Sequence, residues 1–137
     1  MHYFLAKTDP ETYSIETFKK DKVTIWDGVH APAAVLVIRS WRVGDQVLVY
    51  HSQGEKRIVG LMEVISEPYE NLTDPRRSWA AKVKFMKEFP EDQKISLATI
   101  KSSGLFADFA LVRQGRLSTM ACPPDFITWL RKQGVTV

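Results

Sequence analysis

The chain has 137 residues, 45% of them hydrophobic and 26% charged, and a formal charge of +3 from 19 basic and 16 acidic groups. That length suits a single domain, residues 1–137, able to bury a core without metal or disulfide, and the composition argues against disorder. The single cysteine, Cys122, excludes an intramolecular disulfide and a cysteine-rich zinc site, while so small a positive charge suits a polyanionic partner without demanding one.

In chain order, residues 3–7 read as a strand ended by Asp9-Pro10. Ser14 is a candidate N-cap for a short helix in which Ile15 and Phe18 share a face and Lys19-Lys20 close the last turn. Residues 23–26 form a short extended piece stopped by Asp27-Gly28, a turn pair. Residues 31–41 read best as a helix. Pro32 suits a first turn, and Ala34, Val37, Ile38 and Trp41 fall on one face. The β-branched Val35, Val37 and Ile38 keep a strand open as the alternative.

Residues 46–52 follow a Gly44-Asp45 turn. Val47-Leu48-Val49-Tyr50 is continuously apolar, so both faces of this strand should be covered. Gln53-Gly54-Glu55-Lys56 reads as a hairpin loop, and residues 57–65 as the return strand, with Gly60 marking a bulge or a close backbone approach. Residues 67–77 read as a loop. Trp79, Ala81, Val83 and Phe85 then alternate with Ala80, Lys82, Lys84 and Met86, the clearest period of two in the chain. Ser96 caps a helix through Lys101 that Gly104 ends. Residues 116–120 read as a last strand. Pro123-Pro124-Asp125 opens a final helix with Phe126, Ile127 and Leu130 as its apolar stripe. Short strands with helices between them predict a small α+β barrel.

Chemistry is sparse. His2, His30 and His51 form no pair at helical ligand spacing, so neither a metal nor another cofactor is expected. Ser52 or Ser118, His51 and Asp27 make a triad only on paper. Ser52 and His51 are neighbours on one strand and point to opposite faces, and no Gly-x-Ser-x-Gly elbow is present. No catalytic residue is expected. No apolar run approaches ~18 residues and no signal peptide is recognisable, so the expected compartment is the cytoplasm, or the nucleus in a eukaryote, with no membrane partner.

The aromatic and basic residues say more. Trp41 and Trp129 fall on helix faces and read as core, and Trp79 as core or pocket wall. Trp26 stands at the mouth of the Asp27-Gly28 turn, where it either borders a cavity and stacks a base or plugs one end of the barrel. Tyr50-His51-Ser52 delivers three hydrogen-bonding side chains where a buried strand leaves the core. In Arg113-Gln114-Gly115-Arg116-Leu117-Ser118 two arginines flank a Gln-Gly turn. Arginine suits phosphate and glutamine a base edge, and a solvated turn is the other reading.

These stretches resemble the EVE domain family, thymocyte nuclear protein type. The pieces come in the family's order across nearly the whole chain: Tyr3-Phe4-Leu5-Ala6-Lys7-Thr8-Asp9-Pro10, Trp26-Asp27-Gly28-Val29, Gly44-Asp45, Tyr50-His51-Ser52, Ile58-Val59-Gly60, and Leu111-Val112 with the Arg113 to Ser118 run. The resemblance implies a PUA-like fold, a small β-barrel or pseudo-barrel with short helices around it. It also implies non-catalytic binding of a modified nucleobase, such as a modified cytosine, flipped out of DNA or RNA into a pocket at one end of the barrel. By match, the pocket draws on Lys7, Thr8, Trp26, Asp27, Gly28, Val29, Tyr50, His51, Ser52, Arg113, Gln114, Gly115, Arg116, Leu117 and Ser118. Trp26 would wall or stack the base, Tyr50, Ser52 and Gln114 would supply polar contacts, and Lys7, Arg113 and Arg116 would meet phosphate or fix the loops.

One segment departs from the family. After Trp-Asp-Gly-Val the family usually continues Arg-Asn-Tyr-Gln-Ala-Arg-Asn; here His30-Ala31-Pro32-Ala33-Ala34-Val35-Leu36 keeps only the alanine. The lost donors would weaken binding or change the base bound, since each hydrogen bond contributes ~0.5–1.5 kcal/mol. The alternative expectation is therefore a small-molecule, nucleotide-metabolite or partner-binding module that no longer reads nucleic acid, and a monomer fits either reading.

Overall fold

Parallel strands cannot be joined by a tight turn, and the chain meets that constraint at once. In the computed structural model, which describes residues 1–137, β1 (Tyr3–Thr8) lies parallel to β3 (Gln46–His51), paired from Tyr3 with Gln46 through Thr8 with His51. The segment between them holds α1 (Ile15–Asp21), β2 (Val23–Val29) and α2 (Pro32–Arg39). The antiparallel β4 (Arg57–Val64) returns from β3, and β5 (Tyr69–Glu70) and β6 (Trp79–Glu88) follow. Then come α3 (Leu97–Ser102), α4 (Ala110–Arg113), β7 (Thr119–Ala121) and α5 (Pro124–Lys132). The spatial order is β2-β6-β4-β3-β1-β7, with β5 paired to the start of β6. This α+β architecture is a mixed sheet curled into a half-barrel with five short helices.

Both faces of the central strands are covered. Phe4, Ala6, Val47 and Val49 enter one buried cluster with Phe18, Trp26, Ile38 and Trp41. Their alternates Leu5, Leu48 and Tyr50 enter a second with Phe106, Phe126 and Leu130. The unbroken apolar run of β3 thus arises from burial on two sides.

The helix expected over residues 31–41 forms over Pro32–Arg39, with Pro32 in its first turn, Ala34 and Ile38 buried, and Trp41 beyond its end. Gly60 marks a close approach: a Cβ there would stand 2.6 Å from the Lys87 carbonyl oxygen and 2.6 Å from Ile15 Cδ1. A register shift between Val49 and Tyr50 lies opposite it.

Three local expectations change. The Asp27-Gly28 pair does not end its strand. Gly28 takes φ +77° inside a shifted register, and β2 continues to Val29; one glycine absorbs the bulge where a turn would have reversed the chain. The 67–77 loop contains β5, held by Tyr69–Ala80 and Glu70–Trp79 pairing. The last strand begins at Thr119, because the preceding residues close α4 and a turn in which Leu117 N–H donates to the Gln114 carbonyl (3.0 Å).

Candidate functional site

A cavity of about 370 Å³ opens between the free edge of β2, the end of β1 and the segment entering α1, lined by Lys7, Thr8, Thr12, Tyr13, Thr24, Ile25, Trp26 and Asp27. Ser14 caps α1 by accepting from Thr17 N–H (3.1 Å), and Tyr13, just before the cap, packs on Phe18 with ring centroids 5.9 Å apart. This pair is a hydrophobic staple, which fixes the angle at which the chain enters the helix. Tyr13 is thereby held edge-on to Trp26, 6.5 Å away at 81°. Trp26 is 7% exposed and belongs to the core as well as to the cavity wall.

The strand edge supplies polar groups that no side chain advertises. Phe85 N–H donates to the Lys22 carbonyl (2.8 Å), and Ile65 N–H donates to the Lys82 carbonyl (2.9 Å). The main chain of Lys82 is thus turned toward β4, away from its cross-strand neighbour Ile25. Antiparallel ladders alternate, so Thr24 and Trp26 bond to β6 while the N–H and C=O of Ile25 point to the free edge. Neither group of Ile25 has a partner within the chain. A donor and an acceptor on one residue therefore face the cavity beside the tryptophan.

Lys7 links this cavity to the 113–118 turn. Its N–H donates to the Ser118 carbonyl (2.8 Å), and its Nζ donates to the Gly115 carbonyl (2.9 Å) while standing 5.7 Å from the centre of the Tyr50 ring. Half-burial pulls the Lys7 ammonium below its ordinary value. Thr8 Oγ1 donates to the Tyr13 carbonyl (2.8 Å), and Ser52 N–H to the Thr8 carbonyl (2.9 Å).

The site residues expected from sequence fall in several different places. Lys7, Thr8, Trp26 and Asp27 line the cavity together. Gly28 and Val29 continue β2 past it; Gly28 is exposed and Val29 is buried in the first cluster. Ser52, Gly115 and Ser118 lie one hydrogen bond from the lining through Thr8 and Lys7. Tyr50 is buried under Lys7 in the second cluster, where burial pushes its phenol up to about 12. Arg113, the last residue of α4, and Gln114 and Arg116 on the turn after it are exposed, and Leu117 packs against both clusters. Arg113 Nη1 lies 3.5 Å from Asp108 Oδ1, with both side chains largely in solvent.

His51 is occupied elsewhere. It is 1% exposed, and its Nε2 accepts from Ile15 N–H (3.1 Å) at the first turn of α1. An N–H can only donate, so Nε2 carries no proton, and Nδ1–H donates to Glu55 Oε1 (2.9 Å). The imidazole thus ties the hairpin to α1. Sequence reading missed Thr12, Tyr13, Thr24 and Ile25. The staple pattern Tyr13-Ser14 followed by Phe18 could have placed Tyr13; the free β2 edge needs the strand order. The segment 30–36, where the family's usual donors are absent, contributes nothing to the cavity lining. A second cavity of about 430 Å³ lies between β1, β7 and α5, with Tyr3, Cys122, Ile127 and Arg131 in its wall.

Comparison with known proteins adds a family to this geometry. The family model of the EVE domain matches residues 2–133. The chain belongs to the EVE domain family. This EVE domain is 32% identical over 83 residues to thymocyte nuclear protein 1 of Homo sapiens, a match covering 52% of the chain and 37% of the human protein. The chicken (Gallus gallus) protein is 25% identical over 136 residues, covering 87% of the chain and 54% of that protein. The chain thus spans well under two thirds of the length of these relatives. Among solved structures, a Rhodopseudomonas palustris protein superposes with a TM-score of 0.87 at 29% identity, over 98% of this chain and 93% of that one. The human THYN1 protein in complex with 5-methylcytosine-containing DNA superposes with a TM-score of 0.82 at 23% identity, over 97% and 98% of the two chains. The fold of this EVE domain is an α+β half-barrel that these solved structures share.

Proposed function

We propose that this EVE domain binds a modified nucleobase of the 5-methylcytosine kind, flipped out of a nucleic-acid strand, without transforming it. One observation carries the reading: a single cavity holds an aromatic wall at Trp26, an unpaired main-chain donor and acceptor at Ile25, and the Lys7 ammonium at its side. A flipped base offers an apolar face and an edge of alternating donors and acceptors. Trp26 and Tyr13 supply apolar surface, the Ile25 N–H and C=O meet the polar edge, and Lys7 supplies charge for the phosphate of the extruded nucleotide. The human relative's complex with 5-methylcytosine DNA supports the same chemistry. Tyr50 and Leu117 serve as the floor beneath Lys7, and His51 as a structural tie. Gln114, Arg113 and Arg116 stand outside the lining, where they meet the backbone of a bound strand.

Fluorescence anisotropy with oligodeoxynucleotides carrying cytosine or 5-methylcytosine tests this at low salt. The expected result is tighter binding to the modified strand, reduced at least several-fold by Trp26→Phe, which keeps an apolar core residue while shortening the wall. Equal affinity for both strands, or no binding to either, overturns the reading.

A further inference from the structure

We propose that the outer face of the β2–β6 ribbon carries the nucleic-acid strand flanking the bound base, with Lys82 and Lys84 on its phosphates. The inference rests on the base-binding reading above and extends it to a surface outside the cavity. Cross-strand partners share a face, and β2 pairs Val23 with Lys84 and Ile25 with Lys82. Their neighbours Thr24, Trp26, Ala81 and Val83 point inward, so the outer face shows Val23 (39% exposed), Ile25 (44% exposed), Lys82, Lys84 and then Met86 (42% exposed).

Three features distinguish this face from an ordinary solvated sheet. Neither lysine has a carboxylate within ion-pair distance; the acid opposite Lys84 is Glu63, whose Oε1 accepts from Gln46 Nε2 (3.1 Å). The two lysines sit two residues apart on one strand, their Cα atoms about 6.8 Å apart along it, a spacing that flexible side chains can match to successive phosphates of an extended strand. The face is also continuous with the cavity, because Ile25 belongs to both. A strand leaving the cavity over Ile25 meets Lys82 first and Lys84 next, with Val23 and Met86 as apolar surface for sugars and bases. Asp27 is exposed and lines the cavity end of this face.

The test compares wild type with Lys82→Ala/Lys84→Ala. The ligands are 5-methyl-2′-deoxycytidine and a short single-stranded oligodeoxynucleotide with one central 5-methylcytosine. Lys101→Ala/Lys132→Ala, on α3 and α5, removes equal charge elsewhere. The expected result is a loss of about fivefold for the oligonucleotide at about 0.1 M salt. The slope of log affinity against log salt should also flatten by about 1.4, the value for two phosphate contacts on a single strand. Nucleoside binding and melting temperature should stay unchanged, and the α3/α5 variant should bind the oligonucleotide like wild type. An unaltered slope in the β6 variant, or an equal loss in the α3/α5 variant, overturns the strand track and leaves the base pocket standing. Wild type that binds neither ligand overturns the pocket and the track together.

Discussion

Replacing His51 by leucine removes both ring nitrogens while keeping an apolar group of similar size in a site that is 1% exposed. Ile15 N–H, at the first turn of α1, then loses its acceptor inside the protein. An unsatisfied buried donor costs about 1–3 kcal/mol. The Glu55 carboxylate loses its donor too, but it is partly exposed and still accepts from Arg57 Nε (2.6 Å), so water and arginine offset most of that loss. At roughly 3–5 °C per kcal/mol for a chain of this size, the melting temperature should fall by about 3–15 °C. The assay is thermal unfolding followed by circular dichroism, with amide exchange of Ile15 as the local readout. Exchange at Ile15 should accelerate in His51→Leu and recover in part in His51→Gln, whose amide can both accept and donate. Oligonucleotide affinity of the folded variant should change less than twofold. An unchanged melting temperature together with lost binding would refute the reasoning and move His51 from the scaffold into the site.

Gly60→Ala should destabilise by about 1–3 kcal/mol, read as a lower denaturant midpoint, because the added methyl meets a main-chain oxygen at 2.6 Å and one of its two close neighbours cannot yield. Burial pushes the Glu55 carboxyl up, but hydrogen bonds from His51 and Arg57 outweigh it and hold the group below its ordinary value. Its contribution is present above the unfolded carboxylate value of about 4.3 and is lost as pH falls through the lower folded value, so the stability gap between wild type and Glu55→Gln should narrow with acid over that window. Tyr50 works in the opposite limb: its phenol is pushed up to about 12, so its contribution is complete below about 10 and disappears as pH rises through 12. Ultraviolet titration should show a late phenolate step that Tyr50→Phe abolishes; a step near 10 for every tyrosine would contradict the burial.

Much of the fold was legible because its signals are local. Ser14 and Ser96 accept from N–H groups three residues on, as N-caps do, and Pro32 and Pro124 open α2 and α5. The alternation survives from Ala81 to Met86 as the outward lysines and inward Ala81, Val83 and Phe85 of β6, while Ala80 beside β5 is buried too. What stayed hidden depends on partners distant in sequence. Asp27-Gly28 reads as a turn until β6 is placed beside it, when one positive φ becomes a bulge. Nothing near His51 shows that its acceptor faces Ile15, 36 residues earlier. Trp26 offered two readings, wall and plug, and the structure places it both in the cavity lining and in the first buried cluster. The Ile25 main chain could not be singled out, because any residue has an N–H and a C=O. Only the strand order, which leaves β2 at the edge, frees them.

Titration of the ¹⁵N-labelled protein with an oligodeoxynucleotide carrying one 5-methylcytosine, followed amide by amide, tests the central claim most directly. The Ile25 amide should shift furthest downfield as its N–H gains an acceptor, with the Trp26 indole and Lys7 moving beside it and the unmodified strand giving smaller changes. Shifts centred on Cys122, Ile127 and Arg131 around the second cavity, with Ile25 unmoved, would contradict it.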